Sequence, residues 1–329
     1  MADNRWAVVV GCNYGNSPVE DREKLRGCIN DAKAMRRLLI ELLGFHRSHI
    51  ELLKDEPGSQ ILSTGANIKQ ALDKMSDKAK PGDILFFYFS GHGTLDEDSG
   101  EQGIVGCDLN VITKYEFRQL VNRLPRGASF HMVSDSCNSG GLIDKETLQI
   151  GPRSPYTWTP QTGPLPHNAR AKTISFEKII EHLGASTGIG TSDVNALMRH
   201  AFGDDASLSF RRSEQQLSSD RQLEPDRGVL LSGCQSNEIS LDRPFDGKYH
   251  GAFTHALIRA VRSKKSDYWC SNRAIVTSVR TVLEDMEKHD NNPRPQHPCL
   301  YSSDANADAG FAGTIERECW KWDPNSKTR

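Results

Sequence analysis

The sequence has no long apolar run; its longest, Ile84 to Phe89, falls far short of the ~18 residues that a membrane-spanning helix needs. It lacks a signal-peptide core, since Met1-Ala2-Asp3-Asn4-Arg5-Trp6 leads almost directly into a strand pattern. Neither charge is in surplus: 41 basic residues face 43 acidic ones, which gives no reason to expect nucleic acid as a partner. The eight cysteines (12, 28, 107, 137, 234, 270, 299 and 319) form no C-x-x-C pair, so neither a disulfide framework nor a zinc site is suggested. No Gly-x-Gly-x-x-Gly follows the first strand pattern and no phosphate loop is present, which disfavours a nucleotide-binding protein. The expectation is a cytoplasmic chain with reduced thiols and with neither membrane nor nucleic acid as partner.

At 329 residues and 36.6 kDa, one large or two small domains fit, and 36% apolar residues suffice for a core. Trp6 to Gly11 is a β-branched run, and Cys28 to Leu43 has helical spacing of Ile29, Ala32, Met35, Leu38, Leu39 and Leu42. His49 to Leu53 reads as a strand, and Asn67 to Lys78 as a helix ended by Pro81-Gly82. A strand over Asp83 to Phe89, a helix over Lys114 to Leu124 and a strand over Ala128 to Val133 follow. This β-α-β-α-β-α-β series predicts a mostly parallel sheet with helices on both faces. From Gly151 to Arg170 the composition turns to Pro, Thr, Gly and Asn, a linker too polar for core. Two weakly helical segments lie between Thr173 and Phe202, then a charged stretch without periodicity over Arg211 to Arg227. Gly228 to Cys234 reads as a buried strand, Ala252 to Val261 and Arg273 to Met286 as helices, and His297 to Tyr301 as an edge-proximal last strand.

Two segments carry the chemistry: Tyr88-Phe89-Ser90-Gly91-His92-Gly93-Thr94 and Ser134-Asp135-Ser136-Cys137-Asn138-Ser139-Gly140-Gly141. Each ends an apolar strand, and sites in parallel sheets form beyond the carboxyl ends of strands. His92 and Cys137 can therefore meet across a sheet edge as a base beside a thiol, the minimum for cysteine nucleophilic catalysis. A free thiol near pKa ~8.5 supplies little thiolate at neutral pH, and His92 as an imidazolium would stabilise the anion and later protonate the leaving amine. Backbone N–H groups at Gly93 and Cys137 are placed to cradle an oxyanion. A strand-end histidine and a buried structural cysteine are the bland alternative for either residue alone.

These motifs resemble the paired motifs of the caspase-like clan, specifically of metacaspases. His92 and Cys137 stand 45 residues apart, against ~50 in caspases, whose own cysteine signature differs. Further segments are similar to plant type II metacaspases of the short-linker, metacaspase-nine kind: Val10-Gly11-Cys12-Asn13-Tyr14, Gly27-Cys28-Ile29-Asn30-Asp31, Gly140 to Glu146, Gln149-Ile150-Gly151-Pro152, Ser232-Gly233-Cys234-Gln235, Tyr249-His250-Gly251-Ala252-Phe253 and Gln296 to Tyr301. The likeness runs from about residue 6 to 311.

The resemblance implies a three-layer α/β/α sandwich around a mostly parallel six-stranded sheet. It implies a large catalytic part over 1–152, a linker and processing region over 153–227, and a small part over 228–329 completing the same sheet. It further implies a monomeric endopeptidase that takes protein or peptide substrates, cuts after arginine or lysine and is linked to programmed cell death or stress. The absent signal-peptide core fits the cytosol, with nuclear access or release after cell rupture as further expectations. Asp31 and Asp135 match the positions that line the specificity pocket, and a cationic side chain entering such a pocket requires paired negative charge. Asp135 lies two residues before Cys137, on the same face of the strand end. From the residues alone, Asp31 reads equally as a carboxylate favoured by a helix N-terminus. Cys28 is placed beside the pocket, as a helix-start cysteine rather than a second nucleophile.

Metacaspases are similar in needing a linker cut after a basic residue. In Asn168 to Phe176 that residue is Lys172, with Arg170 as runner-up, and an enzyme of this preference would meet its own exposed basic loop. Calcium activates many type II relatives through the loop after the histidine, which here carries Asp96, Glu97, Asp98 and Glu101. A solvated acidic loop explains these residues equally, and the short-linker kind works without the ion, so no cofactor is expected to be required. Two positions depart from the family pattern: Asn138 stands where histidine is usual, and Glu101-Gln102-Gly103-Ile104-Val105-Gly106 replaces an Asp-Glu-Ala-Ile-Val-Pro stretch. A catalytically weak scaffold that acts by binding is the competing function, and the joint presence of His92, Cys137, Asp31 and Asp135 argues against it.

Overall fold

The computed structural model describes residues 4–97, 100–143, 149–150, 165–191, 193–212, 228–235, 238–263, 271–288 and 294–313. The strands are β1 (Arg5–Gly11), β2 (Ile50–Lys54), β3 (Ile84–Ser90), β4 (Gly93–Leu95), β5 (Gln102–Val105), β6 (Val111–Thr113), β7 (Ser129–Asp135), β8 (Gln149–Ile150), β9 (Arg170–Ala171), β10 (Gly228–Ser232), β11 (Leu241–Phe245), β12 (Lys248–Gly251) and β13 (Cys299–Tyr301). The central sheet runs β2-β1-β3-β7-β10-β13. Its first five strands are parallel and β13 is antiparallel, giving the expected mostly parallel six-stranded sheet. The two-residue β8 adds a seventh strand beyond β13.

Alternation along the buried strands divides the core in two. In β3, Leu85, Phe87 and Phe89 face one layer, while Ile84, Phe86 and Tyr88 face the other; Val8 and Val10 part from Ala7 and Val9 in the same way. One face is covered by α1 (Cys28–Glu41), through Ala32, Met35, Leu38 and Leu39, and by the helices Ala252–Arg262 and Asn272–Glu287. The other is covered by α2 (Gly65–Lys78), α3 (Lys114–Arg123) and α4 (Phe176–Thr187). Both layers pack on one sheet, which makes the α/β/α sandwich. Among the described residues no helix is long and apolar enough to cross a membrane.

Two small sheets flank the strand ends and were not anticipated. β4-β5-β6 rises directly after His92, and β12-β11-β9 brings Arg170 and Ala171 beside the hairpin β11–β12. That hairpin turns at Asp246-Gly247, both with positive φ (48° and 77°), the Asp-Gly signature of a type I′ turn. Arg170 and Ala171, expected in an irregular linker, are thus strand residues; of that linker, 151–164 lies outside the described residues, as does most of the charged stretch, 213–227.

Candidate active site

Ser90 and Asp135 are register partners at the ends of the parallel strands β3 and β7. His92 and Cys137 each follow two residues later, so the topology delivers both to one rim, beyond the carboxyl ends of the strands. The backbones come very close here: a Cβ on Gly93 would lie 1.8 Å from the Cys137 carbonyl oxygen, so only glycine fits. The N–H groups of Gly93 and Cys137 then point at one acceptor, the carbonyl oxygen of Lys172, at 3.0 and 3.1 Å.

His92 is fully buried. Its Nε2 lies 2.6 Å from the Glu23 carbonyl oxygen, and its Nδ1 is buried without a hydrogen-bond partner. Burial pushes its pKa down to about 4, outweighing the opposing pull of the Glu23 contacts. The Cys137 thiol accepts the Ser240 N–H at 3.1 Å and lies 3.8 Å from the Ser240 carbonyl. The histidine and the cysteine therefore share the rim without the direct hydrogen bond that a base beside its thiol suggests. Asn138, the departure after the cysteine, has φ 53°, a left-handed conformation that asparagine tolerates. Gln102, within the second departure, accepts the Gly141 N–H at 2.8 Å and so braces the loop after Cys137.

Below the rim lies a fully buried charge cluster. Lys172 Nζ is 3.3 Å from Asp31 Oδ2, 3.1 Å from Asp135 Oδ2 and 2.9 Å from Ser90 Oγ. Burial alone opposes the charge on Lys172, but Asp135, then Cys28 and Asp31, hold its pKa well above the ordinary lysine value. Asp31, in the first turn of α1, also accepts the Gly251 N–H and the Ser90 hydroxyl, each at 2.9 Å, and pairs with His250 Nδ1 at 2.9 Å. Asp135 accepts the Ser240 hydroxyl at 2.6 Å, the Thr254 N–H at 3.0 Å and the Thr254 hydroxyl. A Cβ on Gly251 would lie 2.3 Å from Lys172 Nζ, so glycine there leaves room for the ammonium group. Cys28 is buried beside Ser90, and burial raises its thiol pKa well above normal, which removes it as a ready nucleophile.

The segment around Lys172 is tied down along its length. Arg170 and Ala171 pair with Asp242 and Leu241 of β11; the Lys172 N–H reaches the Ser240 carbonyl at 2.9 Å; and the Ile174 N–H reaches the Gly93 carbonyl at 3.2 Å. The Arg170 guanidinium donates to the carbonyls of Asp21 (2.5 Å) and Lys24. The sequence placed Lys172 on an exposed loop; that is corrected, because it is fully buried with Asp31 and Asp135 as its counter-ions. Of the acidic loop, Asp96 and Glu97 lie at its turn, Asp98 lies outside the described residues, and half-buried Glu101 lies 3.8 Å from Lys114. Among the described residues, no group of three or more His, Cys, Asp or Glu side chains is arranged to hold a metal ion.

Ser240, Glu23 and Gln296 were missed. Ser240 touches the thiol, the Asp135 carboxylate and the Lys172 backbone at once, and Gln296 braces it through Ser240 Oγ (3.0 Å), the Leu241 N–H (3.3 Å) and the Gly233 carbonyl (2.8 Å). Gln296 opens a segment quoted only as a likeness, whereas Ser240 and Glu23 act largely through backbone atoms, which leave no residue-type signal.

The caspase-domain family profile matches residues 4–309. Metacaspase-9 of Arabidopsis thaliana is 43% identical over 328 residues, covering 94% of this chain and 97% of its own; Metacaspase-6 of the same plant is 30% identical, covering 93% and 98%. Among solved structures, a Geobacter sulfurreducens protein superposes with a TM-score of 0.54 at 19% identity (93% of this chain, 97% of that one). Caspase-1 from Spodoptera frugiperda does so with 0.51 at 12% (91% and 86%). These two likenesses establish the fold. Profile and relatives together define a cysteine-type peptidase of the caspase-domain family. The chain belongs to the metacaspases, and within them to the plant type II group.

Proposed function

We propose that the protein cleaves peptide bonds after lysine or arginine, with Cys137 as nucleophile and His92 as base, and that it is made as a zymogen that cuts itself after Lys172. One observation carries this reading: Lys172 presents its carbonyl oxygen to the Gly93 and Cys137 N–H groups while its ammonium sits between Asp31 and Asp135. A residue held this way has its carbonyl polarised and its side chain selected by charge. The Glu23 carbonyl accepts from Nε2–H of His92, which leaves Nδ1 as the acceptor. Nδ1 takes the thiol proton of Cys137, and the thiolate attacks the carbonyl carbon. The two N–H groups hold the oxyanion, and Nδ1–H then protonates the leaving amine. Water releases the thioester by the reverse sequence. Sγ must first turn from the Ser240 N–H toward the carbonyl. The depressed pKa keeps His92 neutral, and so competent as a base, down to mildly acidic pH. We assign its substrates to proteolysis in programmed cell death or stress.

The cut divides the chain into 1–172 and 173–329. Lys172→Ala, alone or with Arg170→Ala, is expected to leave the purified chain as one band on a denaturing gel, while Lys172→Arg is still converted. Unchanged conversion of Lys172→Ala would move the cut elsewhere. No calcium requirement is proposed, since the Glu101 carboxylate lies 3.8 Å from the Lys114 ammonium group, a cation the chain itself supplies. Hydrolysis of a basic fluorogenic peptide should proceed at the same rate with excess chelator as with added calcium; loss of activity in chelator would refute it.

A further inference from the structure

Tyr14 occupies a costly place in the chain. Its φ is +61°, a left-handed conformation rare for a bulky side chain, yet it is fully buried. The Asp55 carboxylate, at the end of β2, accepts the N–H groups of both Asn13 (2.8 Å) and Tyr14, and so holds the turn. Asn13 in turn accepts the Cys28 N–H at 2.9 Å at the start of α1. The turn delivers the Tyr14 ring onto His92: the ring centroids lie 4.5 Å apart with 29° between planes. The Tyr14 hydroxyl accepts the His92 backbone N–H at 2.8 Å and donates to the Val105 carbonyl at 2.6 Å. One residue thus contacts both the imidazole face and the backbone that carries it. Burial pushes the phenol pKa well above normal, so the hydroxyl stays neutral and keeps both bonds.

We propose that Tyr14 is a positioning residue for His92, its ring fixing the imidazole plane and its hydroxyl fixing the backbone beneath, and that Asp55 acts through it. The inference rests on the reading of His92 as the base. The Tyr14 hydroxyl bonds to His92 and Val105 and to none of Lys172, Asp31 and Asp135, so its removal is expected to act on the proton-transfer step more than on the charge cluster. The charged residues acting on His92 are Glu23, which favours its protonation, and Lys172, which opposes it; burial exceeds both.

The test measures kcat, KM and the pH profile of the full-length chain on a basic fluorogenic peptide, for Tyr14→Phe, Tyr14→Leu and Asp55→Asn. Tyr14→Leu opens one imidazole face to water, which raises the pKa that burial holds down. The neutral base is then lost at higher pH, and the acid limb of the profile moves up. The expected result is a loss of at least ~10-fold in kcat with KM within about twofold, and that upward shift. Tyr14→Phe keeps the stack and loses a few-fold in kcat with the limb in place, and Asp55→Asn follows Tyr14→Leu in direction. A folded Tyr14→Leu with the parent's kcat and acid limb would overturn the proposal, as would a loss confined to KM. Should Tyr14→Leu fail to fold, Tyr14→Phe decides: parent kcat together with unmoved His92 ring resonances, read by NMR in Cys137→Ala, overturns it. His92→Ala separates the two readings. If it stays active, the base assignment itself fails; if it is inactive while the Tyr14 variants behave as the parent, only the positioning role fails.

Discussion

Cys137→Ala should remove both peptide hydrolysis and conversion into two fragments, with kcat lowered by about 10⁴-fold or more, and His92→Ala should cost a comparable amount. The size follows from the division of labour at the rim. The N–H groups of Gly93 and Cys137 belong to the backbone and survive either substitution, so the oxyanion cradle remains and leaves a small residual rate. What disappears is the covalent step, which needs a sulfur to attack and an unpartnered Nδ1 to take its proton. Because the two groups act as a unit, the double variant should be no slower than the slower single one; additive losses would mean that they work in separate steps. The lysine-occupied pocket should persist in Cys137→Ala, since none of its ion pairs involves the thiol. That variant therefore serves as the stable uncut chain against which processing is scored. Hydrolysis at even a tenth of the parental rate in Cys137→Ala would remove the nucleophile assignment.

The sheet and the rim were legible because their signals are periodic or positional. The apolar runs over Ile84 to Phe89 and Trp6 to Val10 specify strands buried on both faces, and the helical spacing of Ala32, Met35, Leu38 and Leu39 specifies a covering layer. Two register-matched strand ends then bring His92 and Cys137 to one rim, the shared placement that the sequence pattern predicted. The hairpin β11–β12 was not read: Asp246-Gly247 is a strong turn signal, but polar Asp242 and Arg243 and the proline at 244 hid its strands. The burial of Lys172 was not readable. A lysine after polar linker is ordinarily solvated, and only the long-range approach of α1, β7 and β12 gives this one two carboxylates. Ser240 escaped for the same reason, since three of its functions reside in its N–H, its carbonyl and one hydroxyl whose partners lie far away in sequence.

Neutralising either pocket carboxylate should lower kcat/KM for a lysine or arginine peptide by roughly 10²–10³-fold, the equivalent of about 3–4 kcal/mol for a buried charge deprived of one partner. Attraction and desolvation act together here. A cation entering this pocket gives up water completely, as the full burial of Lys172 shows, and two carboxylates must together replace that hydration. With one gone, the remaining carboxylate still neutralises the charge, but the ammonium loses a direct partner at 3.1 or 3.3 Å. The two variants should differ in how the loss is divided. Asp31 is bound to His250, Gly251 and Ser90, none of which touches the thiol, so Asp31→Asn should act mainly through KM. Asp135 is bound to the Ser240 hydroxyl, and the Ser240 N–H reaches Cys137, so Asp135→Asn should lower kcat as well. A peptide with an uncharged residue at the cleavage position gives the control. In Asp31→Asn its slow hydrolysis should be no slower, because an unpaired buried carboxylate is then removed rather than exposed; in Asp135→Asn it should fall by the kcat loss alone, and so by less than that of the basic peptide. A uniform loss on basic and neutral peptides alike would show that the carboxylates hold the fold of the rim and do not select the charge.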